Sequence, residues 1–451
     1  MSLSVWLLLL LVRSTQASDF FNVQQAYFYG TGTYYTKVTE INGSVLLRAR
    51  YVLNSHNCYA TYSYGCQNSS CGYELYQFNK VDKESSGEWC QMEYIYILPT
   101  FSNVYTIAYS GGDWINGIKN NITSWRTEAR LELRKRSDTG KANSSPQTTI
   151  IPVIRVPSNC QTNVSLLMFD PDGDEVKCRY GNTPSECNPC DPPSVLSLSS
   201  SSCTLSFSPT SSSNEGPYAV QVMMEDFPMK NITLTQTNGS QTIITTKDAI
   251  GKIPVRFVLL VDSAVPSCTE GDFLPNFLPP TPAHRAQLYT NVSQTLEISI
   301  SAEAKNSTIS ELLFSGPYNV IQNQTGPGEF TLMWTPSKIQ AGEDHPCCFV
   351  IQAISNGTKY HSELRCIVVS VDIKLSTPTP TPTPANTPVY VAGLSMKLSS
   401  LVGLSQIDKD TLLNQIKAAL VKNGLPQDVI LQLRSSDLQI GATAAPSRGA
   451  T

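Results

Sequence analysis

The stretch Ile253-Pro254-Val255-Arg256-Phe257-Val258-Leu259-Leu260-Val261 places Ile253, Val255, Phe257, Leu259 and Val261 on one side of an extended chain. Side chains alternate across a strand with period two, so this spacing reads as a β-strand with one apolar face. The same period recurs in Val45, Leu47, Ala49, Tyr51 and Leu53, in Leu296, Ile298, Ile300 and Ala302, and in Phe330, Leu332 and Trp334. Turn-rich segments such as Ser315-Gly316-Pro317 and Thr325-Gly326-Pro327-Gly328 punctuate the runs. Between Asp19 and Ile373 no long amphipathic helix is legible. The expected fold is mainly β: tandem antiparallel β-sandwich domains, each strand with one face on a core and the other toward solvent or glycan.

The chain has 451 residues, 41% hydrophobic and only 15% charged, with a net charge of −4. This length implies two to four domains. Low charge with this apolar content excludes a disordered chain, and the acidic balance excludes an electrostatic nucleic-acid binder. At the amino terminus, Leu7 to Val12 form an apolar run behind Val5 and Trp6, followed by Thr15-Gln16-Ala17. A short apolar core ending in small residues reads as a signal peptide over residues 1–17. No later segment offers about 18 consecutive apolar residues, so no transmembrane segment is expected in this chain. The expected location is secreted and extracellular.

Two further features fit export. All thirteen cysteines follow the cleavage site, as expected where disulfides persist. Asn-X-Ser/Thr acceptors stand at Asn42, Asn68, Asn121, Asn143, Asn163, Asn231, Asn238, Asn291, Asn306, Asn323 and Asn356, and each occupied one marks solvent-facing backbone.

The cysteines divide the β region into three blocks. Cys58, Cys66, Cys71 and Cys90 fall in residues 18–147, a disulfide-containing β domain. Residues 148–263 hold Cys160, Cys178, Cys187, Cys190 and Cys203, and residues 264–375 hold Cys268, Cys347, Cys348 and Cys366. Thirteen is odd, so one cysteine is unpaired or joins a disulfide-linked dimer; the surplus lies in the second block. Cys187-Asn188-Pro189-Cys190 lacks the second CxxC of a zinc ribbon and reads as half-cystines in a loop. Residues 376–388, with four Thr-Pro pairs from Thr377 to Pro384, form a stiff linker. Beyond it, residues 389–451 read as a small α+β module, SEA-like or incomplete: a strand, a helix from Asp408 that stops at Gly424 and Pro426, and a strand over Val429 to Ile440.

Phe169-Asp170-Pro171-Asp172-Gly173-Asp174-Glu175-Val176-Lys177-Cys178-Arg179, then Ser202-Cys203-Thr204-Leu205, Gly216-Pro217-Tyr218-Ala219-Val220 and Glu225-Asp226-Phe227, resemble a β-sandwich module of an uncharacterised group of vertebrate secreted glycoproteins. The order is distantly similar to the amino-terminal region of von Willebrand factor D and EGF domain-containing protein. Trp334-Thr335-Pro336, Gly342, Cys348 to Ala353 and Cys366 resemble a cadherin-like or immunoglobulin-like domain. The resemblance implies an extracellular architecture rather than an activity.

Asp170, Asp172 and Asp174 offer three hard oxygen ligands at alternate positions, which suits calcium. The alternative is a turn in which Pro171 fixes φ, Gly173 takes positive φ and the aspartates cap backbone N–H groups. Arg134-Lys135-Arg136 reads as a solvated strand end. His56, His284, His345 and His361 are scattered, and no catalytic motif is legible, so no enzymatic activity is expected. The function expected is non-catalytic: cell adhesion or another extracellular binding role, or a place in matrix or mucus, with a protein or glycan ligand. The alternatives are the ectodomain of a membrane-attached receptor or adhesion protein and, third, a secreted hydrolase.

Overall fold

The computed structural model describes residues 28–41, 44–58, 78–100, 104–236, 238–372 and 417, with backbone alone for 33–41, 44–47 and 96–100. The signal-peptide span, Asn42, Asn68, Cys66, Cys71, the Thr/Pro linker and the α+β module lie outside the described residues, save Lys417, which is helical. The chain divides into two units, 1–376 and 377–451, and the account below concerns the first.

The first block supplies β1 (Phe28–Ile41), β2 (Ser44–Ser55), β3 (Asn79–Lys83), β4 (Cys90–Thr100), β5 (Val104–Asp113), β6 (Ser124–Glu132) and β7 (Lys135–Arg136). In the second are β8 (Val153–Pro157), β9 (Thr162–Ser165), β10 (Glu175–Tyr180), β11 (Leu196–Ser199) and β12 (Thr204–Phe207). It continues with β13 (Gly216–Phe227), the hairpin β14 (Ile232–Thr235) and β15 (Gln241–Ile244), and β16 (Gly251–Asp262). The third contains β17 (Asn276–Leu278), β18 (Ala286–Asn291), β19 (Leu296–Glu303), β20 (Thr308–Ser315) and β21 (Ile321–Gly326). It closes with β22 (Glu329–Trp334), β23 (Asp344–Ser355), β24 (Thr358–His361) and β25 (Arg365–Asp372).

The fold is all-β and mainly antiparallel. In the third block, β17-β19-β22-β21 forms one sheet and β18-β25-β23-β20 the other, with β24 on β23. That is the strand order of an immunoglobulin-like sandwich, its A-B-E-D sheet set against C-F-G. Ile298, Ile300, Phe330, Leu332 and Trp334 lie in its core, as their alternation requires. The second block repeats the plan, with β9-β12-β11 as one layer and β10-β13-β16 in the other. The first block does not form a separate sheet. A ten-stranded sheet runs β10-β13-β16-β1-β2-β4-β3, so it crosses the boundary expected at residue 147.

Strand β16 makes that junction. Along one edge it pairs with β13 from Gly251 to Val261. Its other edge is divided: β8 runs parallel over Val258 to Asp262, β1 meets it at Val255 and β6 at Lys252. Residues Val255 to Leu259 are all buried, Arg256 included, so both faces of the strand are covered. This corrects the expectation of one core face and one solvent face. The same holds for β23, where Phe349 and Ile351 enter the sandwich core while Cys348 and Val350 pack into the cluster that holds Phe257. The third block is therefore seated on the first two. Polar contacts bind the same junction: Phe314 N–H donates to Asp82 Oδ2 at 2.8 Å, and Arg155 bridges Glu88 and Asp262 at 2.7 and 2.9 Å.

Five disulfides are described: Cys58–Cys90, Cys160–Cys268, Cys178–Cys203, Cys187–Cys190 and Cys348–Cys366. The free thiol among the described residues is Cys347, in the third block rather than the second. The reason is that Cys160–Cys268 crosses the 263/264 boundary and takes one cysteine from each side. At 3% exposure, Cys347 has no surface sulfur for the dimer expected from the odd count.

Close approach of β1 to β16 fixes a residue type. Gly30 has φ +133°, and a Cβ there would sit 2.0 Å from the Arg256 carbonyl oxygen. Gly30→Ala is expected to destabilise the protein by about 3 kcal/mol, through overpacking and backbone strain together. Chemical denaturation of the two proteins checks it; a change under about 0.5 kcal/mol, the range of an ordinary surface substitution, would mean that β1 does not press on β16.

Candidate functional site

Asp170 to Asp174 form the turn that enters β10. Gly173 has φ +80° and donates its N–H to the Asp170 carbonyl at 3.2 Å. Asp170 Oδ1 accepts the N–H groups of Asp172 at 2.9 Å and Asp174 at 3.2 Å. This is the side-chain-capped turn that Asp and Gly specify at these positions. It also brings one oxygen from each of Asp170, Asp172 and Asp174 within 4.8 Å of one another, so the three expected ligands converge.

A side chain from β7 supplies positive charge to the cluster. Arg136 is 1% exposed, which corrects its reading as a solvated strand end. Its Nη1 and Nη2 pair with both oxygens of Asp174, the second at 2.8 Å. Nε and Nη2 reach Asp138 at 3.0 and 2.9 Å, and Nη1 lies 3.6 Å from Asp172 Oδ2. A planar guanidinium suits several carboxylates at once, because its donors are fixed in a fork.

Asn143 extends the network. Its Oδ1 accepts from Arg136 Nη1, and its Nδ2 donates to Asp226 Oδ2 at 2.6 Å. Asp226 Oδ1 accepts the N–H of Gly251, the first residue of β16, at 2.9 Å. The cluster thus ties β7, the Asp turn, β13 and the start of β16. Asn143 itself is 6% exposed, so its acceptor triplet does not present a solvent-facing amide, contrary to expectation. Asn121, Asn163, Asn231, Asn238, Asn306, Asn323 and Asn356 are exposed, and Asn291 is half-buried.

Asp138, Asp172 and Asp174 contact one guanidinium, with Asp226 joined to it through Asn143 and Asp170 in the adjoining turn. Burial pushes Asp226 up to about 7, the charge of Asp174 adding to it, while hydrogen bonds from Asn143 and Gly251 pull the other way. Burial lifts Asp170 well above the ordinary carboxylate range, with further contributions from Asp226, Asp174 and Asp172. Both oxygens of Asp226 accept N–H groups, whereas Asp170 Oδ2 has no partner. Between the two, a proton therefore sits best on Asp170. Arg136 holds Asp138 below its usual value.

The histidines do not gather. Burial lowers His345 and His361 well below the ordinary imidazole range, and nearby Arg50 and Arg155 respectively add to it. Both are neutral packing groups at the junction of the third block with the others. The sequence reading missed Arg136, Asn143 and Asp226 as a set, because their spacing in sequence carries no period.

No family model matches the chain, and no curated protein is similar to it. Among solved structures, an endo-fucoidan hydrolase of glycoside hydrolase family 107 is 13% identical, covering 72% of this chain and 42% of that one, with a TM-score of 0.18. Repeats EC1-2 of human protocadherin-24 are 12% identical, covering 51% of this chain and 99% of that one, at 0.16. Immunoglobulin domains 1–4 of sidekick-1 are 12% identical, covering 72% and 69%, at 0.15. At such scores none bears on function, and the fold rests on the strand order described above.

Arg136→Met leaves Asp138, Asp172 and Asp174 without their cation and is expected to cost about 3–5 kcal/mol by chemical denaturation. Calcium and chelator are expected to give the native protein the same melting temperature; a rise with calcium would assign an ion to Asp170, Asp172 and Asp174.

A proton held on Asp170 gives a pH dependence of definite sign. A carboxyl raised on folding contributes stability that is full below its unfolded value of 3.8 and is lost as pH rises through its folded value. Asp170→Asn keeps the oxygen that caps the turn and removes that titration. Its stability relative to the native protein is expected to rise as pH is raised from 3.8 through neutrality. A difference that stays constant over that range would place the proton elsewhere.

Proposed function

We propose that the chain is a secreted, glycosylated, non-catalytic protein that binds an extracellular protein or glycan. The observation that carries the reading is the covalent fusion of its sandwiches. Cys160–Cys268 joins the second and third blocks, 108 residues apart in sequence, and four further disulfides pin loops and strand ends within blocks. Such bonds persist in oxidising compartments, where the signal-peptide reading also directs the chain. Both faces of β16 and β23 are buried over most of their length, so among the described residues hairpin tips and edges are prominent in what the fused unit presents. Several of those positions carry an exposed acceptor asparagine: Asn238 between β14 and β15, Asn306 between β19 and β20, Asn356 between β23 and β24. Exposed apolar side chains are interspersed with them, among them Met229, Ile243 and Ile321. A rigid scaffold with variable loops at its rim suits recognition.

Expression in secreting eukaryotic cells tests the reading. The product is expected in the medium, with a mass that falls on N-glycosidase treatment, selective binding to a panel of cell-surface ectodomains and glycans, and no turnover of ester or glycoside probes. Recovery of native protein in the membrane fraction would favour the membrane-attached alternative, and probe turnover would overturn the non-catalytic reading.

A further inference from the structure

Between β10 and β11, residues 181–193 lie over the outer face of β13 and β16. Side chains of the sheet and of the first block hold the carbonyl oxygens of this segment. Arg256 Nη2 donates to Glu186, Gln221 Nε2 to Pro189 at 3.1 Å, Asn120 Nδ2 to Asp191 at 2.7 Å and Ser124 Oγ to Asn188 at 3.0 Å. The Glu186 carboxylate is itself buried and accepts from Arg179 at 2.7 Å and Lys252 at 2.8 Å. Beneath the segment Met223 and Arg256 are sealed from water. Arg256 has no carboxylate in contact, and its Nε has no partner. Burial pulls its pKa down to about 9, so covering this face carries an electrostatic cost that the segment must offset.

The Cys187–Cys190 disulfide closes the same segment. Cys187 is buried and Cys190 exposed, so one sulfur is open to attack. Its sequence separation is 3, against 18, 25, 32 and 108 for the other disulfides among the described residues. Among the described bonds the shortest loop withholds the least chain entropy from the open state, so its reduction costs the rest of the fold least and acts on the segment it closes. Cys268 is also exposed, but its bond closes the longest loop.

We propose that Cys187–Cys190 is a redox latch, opened by an extracellular dithiol, whose reduction releases residues 181–193 and uncovers Gln221, Met223 and Arg256 on the β13–β16 face. The thiolate of the dithiol attacks the Cys190 sulfur, the Cys187–Cys190 bond breaks, and Cys187 leaves as a thiolate that takes a proton. The second thiol of the reductant, as thiolate, then attacks its own sulfur of the mixed disulfide and expels Cys190 as a thiolate, which is protonated in turn. The dithiol becomes a disulfide, and two electrons and two protons pass to the protein. With the latch open, hydration of Arg256 favours release of the segment.

Graded dithiothreitol, followed by alkylation and mass spectrometry, tests the order of reduction. Cys187 and Cys190 are expected to be labelled at concentrations that leave Cys160 and Cys268 untouched. Hydrogen exchange on the same samples is expected to speed at least tenfold across residues 181–193. The double variant Cys187→Ser, Cys190→Ser is expected to show the same exchange without reductant. Labelling of Cys160 and Cys268 first, or exchange in 181–193 that stays unchanged in both the reduced native protein and the variant, would overturn the proposal.

Discussion

A buried strand must pair its backbone polar groups on both edges, because an unpaired amide away from water costs as much as a lost hydrogen bond. Strand β16 meets this demand with four partners. β13 takes one edge whole, and β8, β1 and β6 share the other. Two of these partners come from the first block and two from the second. No subset of them completes the strand, so strands of both blocks are needed to satisfy it. This is why the first block cannot be read as a bead on a string. It also explains Gly30, where β1 crosses the Arg256 carbonyl with no room for a side chain.

Fusion of this kind places charge where water is scarce. Arg136 collects three carboxyls near the base of β16, Arg155 joins Glu88 and Asp262, and Lys359 joins Glu84 and Glu88 at 2.7 and 3.0 Å. The last two groups share Glu88, so each block contributes, with Glu84 and Glu88 from the first, Arg155 from the second and Lys359 from the third. Burying such ions gains little net stability, since desolvation offsets attraction. Breaking one leaves an unpaired charge, and that asymmetry penalises any misdocked arrangement of the blocks. The charge pairs therefore specify orientation, while the apolar cluster around Phe257 and Val350 supplies the cohesion.

Local pattern made part of this legible. The alternation of Ile253 to Val261, Ile298 to Ala302 and Phe330 to Trp334 marks strands and core faces that the structure contains. Asp and Gly in the 170–174 turn specified its cap and its positive φ. What remained hidden is set by partners distant in sequence. Period two shows that Phe257 is inward but is silent on whether Arg256 faces solvent or a loop some seventy residues away. Arg136 stands in a basic triplet whose composition says surface, and only the return of the chain at Asp174 makes it interior. Two cationic side chains in apolar or strand-end settings were the available signal, and each turned out to hold a junction.

The cysteines show the same divide between local and distant information. Counting by block assumes that bonds stay within blocks, and one bond that does not, Cys160–Cys268, moves the odd thiol into another domain. Within that domain the strand decides which sulfur is left. Cys347 and Cys348 are neighbours on β23, so their side chains leave opposite faces of the sheet. Cys348 stands directly across from Cys366 on β25, with Cα atoms 4.0 Å apart, and bonds to it. Cys347 is thereby turned into the sandwich core, where burial pushes its thiol up to about 12. A thiol so poorly ionised is neither a nucleophile nor a ready partner for exchange. An odd cysteine in a disulfide-bonded chain is thus no evidence of reactivity by itself: here the geometry of one strand makes the leftover thiol a packing residue and leaves redox chemistry to the exposed end of a bond that parity arithmetic had counted as ordinary.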